Sequence, residues 1–171
     1  SLGTPLWCSE PLDGTSNFAA GIPYCSISVA LILNSKFVLA VVYDPIRDEL
    51  FHAGESSGAM LNDKPLVTSG AKQLSVPQNV AECIALVDFK RLPPALSARM
   101  VSEAPYKSQR SFGSVALDWC WLAARHVHLY CHGRANIWDY AAGQFIFQQG
   151  NGRSCTLEGE PVFYVALDAR S

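Results

Sequence analysis

The stretch YCSISVALILNSKFVLAVVY, Tyr24 to Tyr43, holds two apolar, β-branched-rich runs, Tyr24 to Leu33 and Phe37 to Tyr43, on either side of Asn34-Ser35-Lys36. Short runs of this composition flanking a turn tripeptide read as a β-hairpin. On its N-terminal side, Leu6 to Ser9 is a short strand running into Pro11-Leu12-Asp13-Gly14-Thr15. On its C-terminal side, Asp48 to His52 and Gly58 to Leu61 read as shorter strands, with Asp44-Pro45 and Glu55-Ser56-Ser57-Gly58 as turns. The succession predicts an antiparallel meander.

The second half alternates in type. Cys83 to Val87 reads as a buried strand, Pro94 to Glu103 as a helix, and Val127 to Cys131 and Val162 to Leu167 as strands. Ser114 to Arg125 is a helix capped by Ser114 and apolar nearly all round, which predicts burial. Ile137 to Gln149 is a helix with Asn136 as its N-cap, stopped by Gly150-Asn151-Gly152. Antiparallel strands followed by alternating elements predict an α/β fold, a layered sandwich of mixed and antiparallel sheets and helices. No linker divides residues 1–171, so a single domain is expected.

Half of the residues are apolar and 16% are charged, which is globular composition. A net charge of -2 argues against a nucleic-acid or anionic-membrane footprint. An anionic substrate would then be met by metal ions or helix N-termini. The longest apolar run, Cys25 to Leu33, is too short to cross a bilayer, and no signal-peptide pattern opens the chain. None of the six cysteines forms a C-x-x-C pair, so they read as reduced core residues of a cytoplasmic protein.

Two segments carry chemistry. The first is Trp7-Cys8-Ser9-Glu10-Pro11-Leu12-Asp13-Gly14-Thr15-Ser16-Asn17-Phe18; the second is Trp138-Asp139-Tyr140-Ala141-Ala142-Gly143. Glu10 and Asp13 lie three apart across a Pro-constrained bend, so both carboxylates can turn toward one point, with the Leu12 carbonyl facing the same site. Oxygen ligands of that kind suit Mg²⁺. Gly14 allows close approach, and the amides of Gly14, Thr15 and Ser16 can cradle a phosphate. Asp139 falls in the first turn of a helix, where its charge is favoured. Blander readings stand beside these: Asp13-Gly14 is a common turn dipeptide, and Asp139 is placed to complete a capping arrangement with Asn136. His126, His128 and His132 with Cys131 have an outline of a zinc cluster, without the C-x-x-C that would support it. Trp119, Trp121, Phe145 and Phe147 read as core.

Together the two segments resemble the paired signatures of the inositol monophosphatase family. Val41-Val42-Tyr43-Asp44-Pro45-x-Arg47-x-Glu49-Leu50-Phe51 and Arg110-x-x-Gly113-Ser114 fall in matching order, and the resemblance runs from residue 5 onward. It implies an inositol monophosphatase/fructose-bisphosphatase-like fold and Mg²⁺-dependent hydrolysis of a small phosphomonoester by two-metal logic. Glu10, Asp13, Asp139 and the Leu12 carbonyl would be metal ligands, Asp13 bridging. The Thr15 hydroxyl would orient the water, and the Gly14 and Thr15 amides would hold phosphate. Gly113 and Ser114 would line the pocket for the alcohol, with His132 nearby. Lithium sensitivity and a homodimer are implied too.

The chain departs from the family in three places. Glu10 stands where the family has Asp, which is expected to weaken metal binding. The family's N-terminal helical region, with a further Glu ligand, has no counterpart before the first motif, so the chain is expected to lack its N-terminal segment and to expose one sheet face. His132 stands seven residues before Asp139, where inositol-selective members carry Glu, which argues against myo-inositol 1-phosphate as preferred substrate. A degenerate member serving as a binding module is the alternative function. A bisphosphate phosphatase is a related enzyme reading, with Arg110 and Arg134 as the candidate contributors to a second phosphate site.

Overall fold

The computed structural model describes residues 4–66, 77–160 and 162. Strands β1 (Leu6–Asp13), β2 (Ser26–Leu33), β3 (Lys36–Asp44), β4 (Glu49–Gly54), β5 (Gly58–Leu61) and β6 (Lys64–Pro65) form one antiparallel sheet in sequence order, which is the expected meander. The hairpin between β2 and β3 closes on Asn34 and Ser35 alone, both at positive φ, while Lys36 already pairs with Leu33. Two successive left-handed residues give the turn the twist that the strands require.

β1 runs past Ser9 to Asp13 and takes in Pro11. Proline brings no N–H to a ladder, which an edge strand tolerates, and the register with β2 breaks between Glu10 and Asp13. Cys8, Glu10 and Leu12 stay half-buried in alternation, whereas Asp13 leaves the alternation and is buried. The expected bend is therefore a bulge, and it re-aims one carboxylate. A short helix that the sequence did not announce, α1 (Thr15–Ala19), follows at once.

The second sheet is parallel: β8 (Ser108–Arg110), β7 (Ile84–Asp88) and β9 (Leu129–His132), with β7 central. Between β7 and β8 the chain forms α2 (Pro94–Ser102), and between β8 and β9 it forms α3 (Val115–Ala123). The helix α4 (Ile137–Gln149) follows β9. β8 was not anticipated, because Ser108-Gln109-Arg110 has no apolar content to signal a strand. The expected strand Val162 to Leu167 lies outside the described residues apart from Val162.

α3 and α4 pack between the sheets. Ala30, Ala40, Ala53 and Ala59 pair in one row across β2 to β5, and this row of small side chains lies in the core shared with α3 and α4. Leu86 of β7 meets Leu122 of α3 on the other side, and Ala85 and Val87 meet Leu96 and Met100 of α2. The layers run sheet, helix pair, sheet, helix, as a layered α/β sandwich requires. Trp119 and Trp121 pack edge-on against Tyr130 and Tyr24, and Phe145 is buried, as expected of core residues. All six cysteines are free.

The outer face of the six-stranded sheet is apolar too. Trp7 pairs with Leu31 and Leu31 with Leu39, while Ile27 pairs with Tyr43 and Tyr43 with Leu50. Trp7 is 60% exposed, and Ile27, Leu39 and Leu50 are exposed with it, so no described residue buries this face.

α3 and α4 cross at Gly143, where a Cβ would stand 2.6 Å from Trp119 Cβ and 2.7 Å from the Ala116 carbonyl oxygen. The second neighbour is backbone and cannot rotate away. Gly143→Ala is expected to destabilise the protein by about 1–3 kcal/mol through overpacking, although alanine gains about 1 kcal/mol of helix propensity. Urea denaturation checks the sign; a stabilised variant would mean that the helices separate at little cost.

Candidate functional site

The C-terminal ends of β7, β8 and β9 open into a pocket of about 300 Å³, closed on its other side by the loop after β1 and by the start of α4. Crevices at the carboxyl ends of parallel strands are where α/β sheets bind ligands. Of the residues singled out from sequence, Asp13, Gly14, Thr15, Gly113, His132 and Asp139 line it. Glu10, Leu12 and Ser114 do not.

Asp13 arrives from the β1 bulge and meets the start of α3. Its Oδ2 accepts the Ser114 hydroxyl at 2.6 Å and the Ala116 N–H at 2.8 Å. Burial pushes the Asp13 carboxyl above the usual carboxylate range; these donors and the Gly14 N–H oppose the rise, and the Asp139 charge adds to it. Gly14 follows at φ 82, and a Cβ there would stand 2.9 Å from the Tyr24 carbonyl oxygen. Only glycine makes this turn without strain.

Ser114 is fully buried, with its hydroxyl given to Asp13 and set 3.2 Å from Ser26 Oγ. It also accepts the Leu117 N–H, so it caps α3 as the sequence predicted. That commitment keeps it from the pocket surface where substrate binding was expected of it. Glu10 is half-buried on β1 opposite Ser28, outside the pocket lining. Two residues before Glu10 on β1, the Cys8 thiol is pushed up by burial first and then by the charges of Asp139 and Glu10.

Asp139 lines the pocket from the first turn of α4 and accepts the Asn136 N–H at 2.9 Å. The capping arrangement read from the sequence is thus present, and it occupies one carboxylate oxygen only. Among the described residues no three His, Cys, Asp or Glu side chains converge as a preformed metal cluster. The histidines are engaged separately. His126 packs edge-on against Trp121, and His128 Nδ1 accepts the Ile84 N–H at 3.0 Å while burial lowers its pKa. His132 Nε2 lies 3.4 Å from Asp88 Oδ2.

Sequence reasoning missed Asp88, Arg91, Ser111, Asp118 and Tyr130, all of which line the pocket. Asp118 had a signal: it is the single charge in Ala116-Leu117-Asp118-Trp119-Cys120-Trp121, and a carboxylate inside an apolar helix is seldom idle. It accepts the Tyr24 hydroxyl at 3.0 Å, and burial pushes its carboxyl up to about 8, with the charges of Asp13 and Asp88 adding to the rise. Arg47 packs over the Tyr24 and Trp121 rings and pairs with the buried Asp44 at 2.7 Å, fixing Tyr24 from outside. The Tyr130 hydroxyl and His132 Nδ1 are buried without a hydrogen-bond partner among the described residues. Polar atoms held in that state beside a crevice suit a polar ligand.

The chain is 36% identical over 158 residues to Nus factor SuhB of Pasteurella multocida, covering 90% of this chain and 57% of that protein. It is 30% identical over 167 residues to inositol-1-monophosphatase of Bacillus subtilis, covering 96% of this chain and 62% of that one. Its fold is similar to inositol monophosphatase-II from Staphylococcus aureus, with a TM-score of 0.81 at 27% identity, over 94% of this chain and 61% of the other. The chain thus spans roughly three fifths of the length of the relatives it matches. Residues 2–170 match the Inositol monophosphatase family, and the chain belongs to that family.

Proposed function

We propose that this pocket binds Mg²⁺ and hydrolyses a small phosphomonoester. The observation that carries the reading is convergence: Asp13 at the end of β1 and Thr15 at the start of α1 line one crevice, at the carboxyl ends of parallel strands, with Asp139 of α4, far from both in sequence. The donor set fits a hard divalent cation, since it is all oxygen. Burial and the Asp139 charge both disfavour ionised Asp13, and a cation beside the two carboxylates relieves both. Each carboxylate uses Oδ2 in its helix cap. Two carboxylates with water and substrate oxygens completing the shell is the arrangement that Mg²⁺ favours.

When bound, Mg²⁺ supplies Lewis-acid stabilisation of charge on the phosphoryl group. The chain does the rest. The Gly14 turn presents backbone to the phosphate, and the Thr15 hydroxyl orients a water. Gly113 lets the alcohol part approach the start of α3, and His132 with Asp88 bounds it. Glu10 acts from behind the pocket wall in this reading. Staphylococcus aureus SaIMPase-II, solved with inositol monophosphate bound and with 2'AMP bound, supports a small phosphomonoester as the substrate class. A homodimer and a cytoplasmic location belong to the same reading; no helix among the described residues is long and apolar enough to cross a membrane.

The test is release of inorganic phosphate from inositol 1-phosphate and 2'-AMP, with and without Mg²⁺, by the protein and by Asp139→Asn. Turnover that needs Mg²⁺ and falls about tenfold or more in the variant is expected. Asparagine at 139 keeps an acceptor for the Asn136 N–H, so the helix cap survives. A second reading, the family fold kept as an interaction module, is favoured by the helix-cap duty of both aspartates and by similarity to proteins named Nus factors. No phosphate release from folded protein would favour it.

A further inference from the structure

The pocket has a basic side as well as an acidic one. Arg91 leaves the carboxyl end of β7, and Arg134 leaves the carboxyl end of β9; both line the pocket and both are exposed. The two come together because the loop after β9 runs against the backbone at Arg91: a Cβ on Gly133 would clash with the Arg91 carbonyl and with Leu92 Cα. Neither guanidinium makes an ion pair or a hydrogen bond among the described residues, although Asp13, Asp88, Asp118 and Asp139 line the same pocket. His132 of the same lining leans on Asp88 through Nε2 and has no partner for Nδ1 among the described residues. Arg110, the other candidate from sequence, gives Nη1 to the Gln109 carbonyl and stands outside the lining.

Two guanidiniums without a partner among the described residues thus stand on neighbouring loops of a pocket whose carboxylates turn to other groups. Arginine presents a planar fork matched to carboxylate and phosphate oxygens, and ligand anions are its usual partners when protein carboxylates are passed over. The reacting phosphoryl group is already served, in the reading proposed above, by the Gly14–Thr15 turn and the cation on the acidic side. We propose that Arg91 and Arg134 read a second anionic group, carboxylate or phosphate, on the alcohol part of the substrate. Substrates with a neutral polyol there leave both arginines unmatched. The inference rests on the phosphatase reading for its substrate, and on the basic rim alone for its specificity.

Matched pairs test it. Glycerol 2-phosphate and 2-phosphoglycerate differ by a carboxylate, and glucose 1-phosphate and glucose 1,6-bisphosphate by a phosphate. The expected result is a kcat/KM ratio favouring the anionic member by at least about tenfold, lost in the Arg91→Gln/Arg134→Gln protein. Preference in one pair only names which anion is read. Preference for the neutral members, or a ratio that survives the double substitution, overturns the proposal. Calorimetric titration of the same four compounds separates the two readings. If nothing is hydrolysed, the phosphatase reading fails, yet tighter binding of the anionic members that disappears in the double variant still upholds the rim. Equal binding in both proteins overturns it.

Discussion

Asp13→Asn is expected to lower Mg²⁺-dependent phosphate release by about a hundredfold or more, since even the supports of metal ligands typically contribute 10–100-fold. The substitution separates two duties that the structure gives to one side chain. As a helix cap, Asp13 accepts the Ser114 hydroxyl and the Ala116 N–H, and asparagine caps about as well as aspartate. As a cation ligand it needs its charge, which asparagine lacks. The fold should therefore survive. Removing a buried charge whose ionisation the surroundings disfavour should even raise the melting temperature at neutral pH in metal-free buffer. Kinetics across a Mg²⁺ series, paired with thermal melts, decide the matter. Undiminished turnover would reduce Asp13 to a cap and remove the core of the proposed site.

The second large effect is on stability. Asp118 is 6% exposed, and burial pushes its carboxyl up to about 8. Unfolded, the same group titrates near 4. Between those values the native state holds a proton that the unfolded state has released. The resulting stability is complete below the unfolded value and is lost as pH rises through 8. Asp118→Asn keeps an acceptor for the Tyr24 hydroxyl and carries no charge at any pH. In metal-free buffer it is expected to be more stable than the unaltered protein at pH 9, by on the order of a few kcal/mol, with the advantage shrinking toward pH 5. Urea denaturation at the two pH values reads this directly. A gap that does not change with pH would mean that Asp118 is solvated in the native protein.

The meander, the caps of α3 and α4 and the aromatic core were legible because each is written locally. Alternation marks β2 and β3, Ser114 and Asn136 precede apolar helices, and Gly150 follows the last turn of α4. What escaped depended on partners far away. The three residues of β8 form a strand only because β7 lies beside them. Pro11 looked like a corner, and became a bulge because an edge strand can absorb a missing donor. The acidic side of the pocket was found through motifs, whereas Arg91 sits in an ordinary turn and gains meaning only from Gly133 beneath the other loop. Ser114 was placed at the right helix terminus, but its bond to Asp13 was not legible, since nothing local says that Asp13 takes its hydroxyl.

The bond between Asp13 and the start of α3 joins residues 101 and 103 positions apart. During synthesis at about 5–20 residues per second, Asp13 waits some 5–20 s for the partners that make its burial tolerable. The first sheet can form its hairpins in that interval, but the crevice cannot exist until α3 and the parallel strands arrive. Contacts of such long range fold slowly. Refolding followed by cation binding should therefore lag behind refolding followed by sheet content, with the site as the last part of the molecule to be born.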